Sequence, residues 1–114
     1  MNTNFNLLNK SFKLIEYYEK LLVNYPKKEL ILRQNIEKCY YEMIESLFAF
    51  NINNSDRIKQ KHLKDYVIKV SMIDFYTNAS FNKKIISKRQ FEVIGRKIIE
   101  LRKMSYGLMQ NENN

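Results

Sequence analysis

The sequence predicts an all-α fold, an up-down-up-down antiparallel four-helix bundle. The chain has 114 residues but only two glycines and one proline, so it lacks the frequent turn residues that sandwiches, barrels and α/β folds require. Apolar residues recur with helical period in four segments. The connections between these segments are short, which favours antiparallel neighbours. We therefore expect residues 1–114 to form one four-helix-bundle domain with a single core.

The first two helices are predicted at about residues 7–24 and 27–51. Pro26 disfavours helical geometry in Tyr25, and we expect it just inside the second helix, where its missing N–H costs little. The core face of the first helix is predicted to comprise Leu8, Ser11, Ile15, Tyr18, Leu22 and Tyr25. That of the second comprises Leu32, Ile36, Cys39, Tyr40, Met43, Ile44, Leu47 and Phe50.

The third and fourth helices are predicted at about residues 56–79 and 87–110, with residues 80–86 as their connector. Ser55 is a suitable N-cap for the third helix. Ser87 and Gln90 have the spacing of a capping box for the fourth. The predicted core face of the third helix comprises Leu63, Tyr66, Val67, Val70, Ile73 and Thr77. That of the fourth comprises Phe91, Ile94, Ile98, Leu101, Ser105 and Leu108.

The third helix carries a second apolar stripe, roughly opposite its core face, and the second helix carries a similar one. Isolated apolar residues on a surface are normal, but these recur at helical spacing, which favours contact between subunits. Soluble homo-oligomers are mostly closed assemblies, so we expect a ring or a dimer. The candidate oligomer interface comprises Leu30, Tyr41, Phe48, Ile68, Met72, Phe75 and Ala79.

Positive charge is concentrated in the C-terminal part of the chain. The net charge is +8, and residues 81–114 contain eight basic and three acidic side chains. Such a surface attracts nucleic acid, anionic lipid or an acidic protein. The interleaved acids Glu92 and Glu100 leave open a solvated, salt-bridged face. The candidate nucleic-acid-binding residues are Lys83, Lys84, Lys88, Arg89, Arg96, Lys97, Arg102 and Lys103.

The sequence gives no reason to predict an enzyme, a metal site or a cofactor. His62 is the only histidine and Cys39 the only cysteine, so a histidine and cysteine metal site cannot be assembled. Cys39 falls on a core face, where it would act as a small buried hydrophobe. We expect Asp74 to pair with a lysine or arginine of a neighbouring helix.

The expected location is the cytoplasm. No apolar run approaches the roughly 20 residues of a membrane span, so no membrane association is predicted. The first residues lack the basic and apolar pattern of a signal peptide. A single cysteine also fits a reducing compartment.

Two parts of the sequence resemble the Avd-type accessory proteins of diversity-generating retroelements. The segments Ile86–Glu92 and Ile98–Leu108 resemble the last helix of that family, which has an isoleucine-serine-lysine opening and then an aromatic-glutamate pair. The segments Tyr18–Lys20 and Asn24–Lys28 resemble its first helical hairpin. Two positions depart from the pattern: Arg102 stands where glycine is usual, and Leu108 where tryptophan is.

The resemblance implies a specific function. Proteins of this family are non-catalytic four-helix bundles that form ring-like pentamers with a basic surface. They bind a reverse transcriptase and its template RNA or cDNA. The resemblance makes Ile68, Met72, Phe75 and Ala79 a candidate seam of a ring. The alternative is a four-helix-bundle scaffold for protein interactions, outside retroelements and without a nucleic-acid role.

Overall fold

Four α-helices make up the fold. The computed structural model describes the backbone of residues 3–113 and the side chains of residues 6–109. The helices are α1 (Thr3–Leu22), α2 (Leu30–Ile52), α3 (Asp56–Asn82) and α4 (Lys88–Asn113), and the described residues contain no β-strand. The predicted all-α, four-helix fold is therefore confirmed.

Each helix packs against its neighbour in sequence, and α4 packs back against α1. Contacts between α2 and α3 show the antiparallel direction. The Lys59 ammonium, near the start of α3, donates to the carbonyl of Phe50 at 2.8 Å, whereas Lys69, ten residues later, pairs with Glu42 at 3.4 Å. The contact position on α2 moves backward as α3 moves forward, so these two helices run in opposite directions.

Three buried hydroxyl pairs cross the core diagonally and join the first helix and its following turn to α3. In each pair the two positions advance together along the chain, so α1 and α3 are parallel, as an up-down-up-down bundle requires. Every hydroxyl in this ladder has a partner, which avoids the cost of burying an unpaired polar group. The pairs are Ser11 with Tyr66 at 2.6 Å, Tyr18 with Thr77, and Tyr25 with Ser80 at 2.7 Å.

The predicted core faces form the interior, with small differences. The buried residues of α2, from Ile36 to Phe50, all belong to its predicted face, whose Leu32 and Ile44 are half-buried. In α1 the interior also contains Leu7 and Leu14, which the predicted face omitted. Burying these large apolar side chains is the main stabilising contribution, about 1.5–3 kcal/mol for each.

The first connection differs from its prediction. Helix α1 ends at Leu22, two residues earlier than expected, and the Tyr25 amide donates to the Leu22 carbonyl at 3.1 Å. Pro26 is extended, with φ −58° and ψ 146°, and precedes a short 3-10 turn over Lys27–Glu29. Pro26 is therefore outside α2 rather than just inside it, because the tighter turn separates the proline from the first α-helical residue.

The second half of the chain matches its capping predictions and extends one helix. The Ser55 hydroxyl accepts the Ile58 amide at 3.5 Å, which confirms the N-cap of α3. The capping box of α4 is confirmed: the Ser87 amide donates to the Gln90 side chain at 2.8 Å, and the Gln90 amide to the Ser87 hydroxyl at 3.1 Å. Helix α3 continues to Asn82, so the first three residues of the predicted connector are helical.

Helix α3 ends in a Schellman motif with a lysine at its left-handed position. The Ile85 amide donates to the Ser80 carbonyl and the Lys84 amide to that of Phe81, both at 2.9 Å. Lys84 has φ +62°. Glycine is the usual residue at this point because other side chains are strained there.

Candidate nucleic-acid and assembly surfaces

A stripe of basic side chains follows the outward side of α4. Arg89, Arg96 and Lys103 recur every seven residues and are exposed. At a rise of about 1.5 Å per residue the stripe is about 20 Å long. Glu100, which sequence reasoning interleaved with it, pairs instead with Lys10 of α1 at 3.2 Å. Among the described residues the three basic groups form no ion pair, so the stripe is available to an external anion.

Two of the predicted nucleic-acid-binding residues lie on the flanks of α4. The ammonium of Lys97 is 5.9 Å from the centre of the Tyr17 ring of α1. The Arg102 guanidinium lies on the other side, 3.3 Å from the Asp74 carboxylate of α3. The expected pairing of Asp74 is confirmed, and it offsets the charge of Arg102. The eight predicted residues therefore do not form one continuous surface.

The fold adds basic residues that the predicted set omitted. The connection between α1 and α2 and the connection between α3 and α4 lie at the same end of the bundle, where Lys83 of one pairs with Glu29 of the other at 3.3 Å. We call residues 20–31 and 80–90 the basic end. It contains one acidic residue, Glu29, and seven basic ones: Lys20, Lys27, Lys28, Lys83, Lys84, Lys88 and Arg89.

The basic end therefore has a net charge of +6, three quarters of the +8 of the whole chain. The sequence prediction included the basic residues of segment 80–90. It omitted Lys20, Lys27 and Lys28, because these lie more than fifty residues before that segment in the sequence. The up-down topology was the signal available for them, since it brings the first and third connections to one end of the bundle.

The predicted oligomer residues are mostly exposed on α2 and α3. Ile68 and Phe75 are 58% and 62% exposed, while Ala79 is half-buried. Leu30 lies in the first turn of α2, at the basic end and away from Tyr41. Of thirteen exposed large apolar side chains in the described part of the chain, nine belong to these two helices: Leu30, Ile31, Tyr41, Phe48, Ile52, Ile58, Ile68, Met72 and Phe75.

A shallow acidic groove of about 300 Å³ lies between α2 and α3, beside these apolar residues. Glu42, Glu45 and Asp65 line it together with Lys69, which pairs with Glu42. Three carboxylates and one ammonium repel a phosphate backbone. This side of the bundle is therefore better matched to protein than to nucleic acid.

The groups that could carry chemistry are few and shielded. Cys39 is 5% exposed, as expected for a core residue, and its thiol contacts the Lys69 carbonyl at 3.2 Å. Burial raises the pKa of this thiol to about 11, so the nucleophilic thiolate is not populated at neutral pH. His62 is half-buried. Within the described ranges, no three histidine, cysteine or carboxylate side chains are grouped as a metal would require.

Neither the search for membrane-spanning helices nor the comparisons with known proteins assign this chain to a class of protein. Across the described residues, none of the helices has both the length and the apolar content needed to cross a membrane. A scan against models of protein families and a search of curated proteins both return no match.

Proposed function

We propose that this chain is a non-catalytic accessory protein that oligomerises and binds nucleic acid. In this proposal the α2 and α3 side makes the subunit contacts, and the basic end together with the α4 stripe holds template RNA or cDNA. The observation that carries the proposal is the separation of charge from exposed apolar surface. Residues 30–82 contain seven basic and six acidic side chains, whereas residues 83–113 contain eight and three.

The separation supports two different kinds of contact. An exposed apolar surface that is nearly neutral is typical of contacts between proteins. An uncompensated basic surface is typical of phosphate binding, in which the protein releases counterions from the nucleic acid. Because the basic stripe is on α4, an assembly through α2 and α3 leaves that stripe free. It would also repeat the basic surface once for every subunit.

The assignment of the polymerase partner rests on the sequence resemblance. Residues 86–92 and 98–108, together with 18–20 and 24–28, resemble Avd-type accessory proteins. The proposed partner is therefore the reverse transcriptase of a diversity-generating retroelement, and the proposed assembly is a ring-like pentamer. The basic end overlaps the resembling segments, which include Lys27 and Lys28 of its first half and Lys88 and Arg89 of its second half. This proposal expects a reverse transcriptase gene next to the gene of this chain, and co-purification of the two encoded proteins tests the partner directly.

Charge reversal tests the nucleic-acid role. The variant Lys88→Glu, Arg89→Glu and Arg96→Glu removes three exposed cations from the proposed surface. The control Arg57→Glu, Lys61→Glu and Lys64→Glu makes the same change in net charge on exposed positions of α3 at the other end of the bundle. We expect only the first to weaken binding of a structured RNA, with the salt slope reduced by about one for each phosphate-binding cation that the variant removes.

The alternative function is a scaffold that binds protein only. The acidic groove and the exposed apolar residues of α2 and α3 favour this scaffold function, because both features suit contacts with protein. The two functions differ in one measurement. If the unmodified chain does not retain structured RNA on a filter even at low salt, the nucleic-acid role is wrong and the scaffold is the better assignment.

A further inference from the structure

We propose that the basic end binds the phosphate backbone of duplex or folded RNA without reading its sequence, and that Lys27 and Lys28 are direct contacts. This inference rests on the proposed function and deepens it. It moves the main contact from the side of α4 to the end of the bundle. It also adds two residues from the first helical hairpin.

Charge density supports the first step. Seven cations and one carboxylate share the end of a bundle whose cross-section is about 23 × 20 Å. A nucleic-acid duplex carries one negative charge per ~1.7 Å of its axis, so a 20 Å length presents about twelve phosphates. Only Lys83 of the seven cations forms an ion pair within the described residues, and in that pair the lysine is exposed while Glu29 is mostly covered. The remaining six are available to phosphates.

The types of residue indicate contacts to the backbone rather than to bases. Six of the seven cations are lysines, and a lysine acts as a point charge that binds phosphate in many orientations. Sequence reading relies instead on side chains such as arginine that form paired hydrogen bonds with base edges. At the basic end Arg89 and the exposed amides of Asn24 and Asn82 have that capacity, and the six lysines outnumber them. The surface is therefore suited to a ligand recognised by its charge and shape.

The aromatic side chains of the basic end indicate a duplex rather than a single strand. Proteins that bind single strands stack bases on exposed aromatic rings, at about 1–3 kcal/mol per base. Here Tyr25 is 7% exposed, and its hydroxyl points to Ser80 inside the bundle. The ring of Phe81 stacks on that of Phe91, just after this end, with centroids 4.4 Å apart, and both are half-buried. None of these rings is free to stack on a base.

Exposed aliphatic side chains at the same end make an anionic membrane surface the competing ligand. Val23, Leu30 and Ile31 are 72%, 52% and 75% exposed beside the lysines. Lysines next to exposed aliphatic groups also bind anionic membrane surfaces. Seven cations beside only three exposed aliphatic side chains favour nucleic acid, because three such side chains bury little area in a membrane. A vesicle measurement is therefore part of the test.

The experiment compares two double variants. The first carries Lys27→Glu and Lys28→Glu, and the control carries Lys61→Glu and Lys64→Glu. Both are exposed and make the same change in charge, and circular dichroism confirms that both remain folded. Binding of a 20-base-pair RNA duplex, a single strand of equal length and phosphatidylserine vesicles is measured at several salt concentrations. We expect the first variant to lose at least about tenfold in duplex affinity and about two in salt slope, with the control unchanged.

The outcomes separate this inference from the proposed function. If the unmodified chain binds no RNA, the proposed function fails. If it binds RNA but the two variants behave alike, the function stands and the basic end is not the contact. Tighter binding of the single strand than of the duplex overturns the duplex assignment. Binding to vesicles in place of RNA identifies a lipid surface and overturns the inference as a whole.

Discussion

The hydroxyl of Tyr25 donates a hydrogen bond of 2.7 Å to the hydroxyl of Ser80, and this buried bond joins the two segments, residues 20–31 and 80–90, that form the basic end. Ser80 in turn donates to the Tyr76 carbonyl at 2.9 Å, which fixes it within the last turns of α3. The lysines of the basic end therefore lie on two backbone segments, residues 20–31 and 80–90, that the hydrogen bond from Tyr25 to Ser80 joins. This bond is the third pair of the hydroxyl ladder, and the ladder makes the stability of the protein sensitive to high pH.

Burial raises the pKa of Tyr18, Tyr25 and Tyr66 above the ordinary 10.0. In the unfolded chain these phenols ionise near pH 10, while in the folded chain they keep their protons. The unfolded state therefore binds fewer protons above pH 10, so stability is complete below that pH and falls as pH rises through it. Each phenol contributes a slope of up to about 1.4 kcal/mol per pH unit. Urea unfolding at pH 8, 10 and 11 measures the loss.

The variant Tyr66→Phe is the control for this prediction. It removes one of the three phenols and keeps every lysine, so the contribution of lysine titration is the same in both proteins. We expect the variant to be about 1 kcal/mol less stable at pH 8, because it cannot form the hydrogen bond with Ser11. It should also lose less stability between pH 10 and 11. Equal losses in the two proteins would show that Tyr66 ionises as freely in the folded state as in the unfolded one.

The helices and their core faces were predictable because they depend on local periodicity. A run such as Ile36 to Phe50 identifies its buried side by spacing alone, and caps such as Ser87 with Gln90 need only three residues of separation. Pro26 shows where local reasoning fails. A proline fits the first turn of an α-helix and also fits the residue before a 3-10 turn, and the choice depends on how the chain enters the bundle.

The candidate surfaces were only partly predictable because they combine distant segments. The basic residues from Lys83 onward are visible as a cluster in the sequence. Lys27 and Lys28 join them only through the topology. Asp74 was expected to pair with a cation, but its choice of Arg102 depends on the register between α3 and α4, which periodicity does not determine. The same holds for the pair of Ser11 with Tyr66, which are 55 residues apart.

Lys84 provides a test in which stability and binding change in opposite directions. Its φ of +62° is strained for lysine and easily adopted by glycine. We expect Lys84→Gly to increase the free energy of unfolding by about 0.5–1 kcal/mol, after allowing for the greater freedom of glycine in the unfolded chain. The same change removes a cation from the basic end, so RNA affinity should decrease. Thermal unfolding and a salt series of RNA binding measure the two effects.

Lys84→Ala is the matched control, because it removes the same charge and retains the strained backbone. We expect it to bind RNA as weakly as Lys84→Gly without the gain in stability. If the alanine variant bound RNA like the unmodified chain, Lys84 would not contribute its charge to the surface.

Arg96 and Arg102 should differ in their contribution to RNA binding, although both belong to α4 and both were candidates from the sequence. Arg96 is exposed and forms no ion pair within the described residues. Arg102 is half-buried and its guanidinium is held by Asp74. We expect Arg96→Gln to reduce the salt slope of RNA binding by about one and Arg102→Gln to leave it nearly unchanged. A larger effect at Arg102 would mean that its pair with Asp74 opens when RNA binds.

The oligomer interface is tested by placing a charge within the apolar side of α3. Met72 lies between Ile68 and Phe75 on this surface and is 36% exposed. A glutamate there remains hydrated in a monomer, but it would be buried without a partner in a subunit contact, at a cost of several kcal/mol. We therefore expect Met72→Glu to dissociate the assembly and to leave the helical circular-dichroism signal unchanged.

The control for this variant is Ile99→Glu, which introduces the same charge at an apolar side chain of α4 that is 52% exposed. Light scattering of all three proteins at micromolar concentration gives their masses. We expect the unmodified chain and the Ile99 variant to share one oligomeric mass and the Met72 variant to have the mass of a monomer. Monomeric unmodified protein would refute the interface. Dissociation by the Ile99 change instead would place the subunit contact on α4, where it would compete with RNA for the basic stripe.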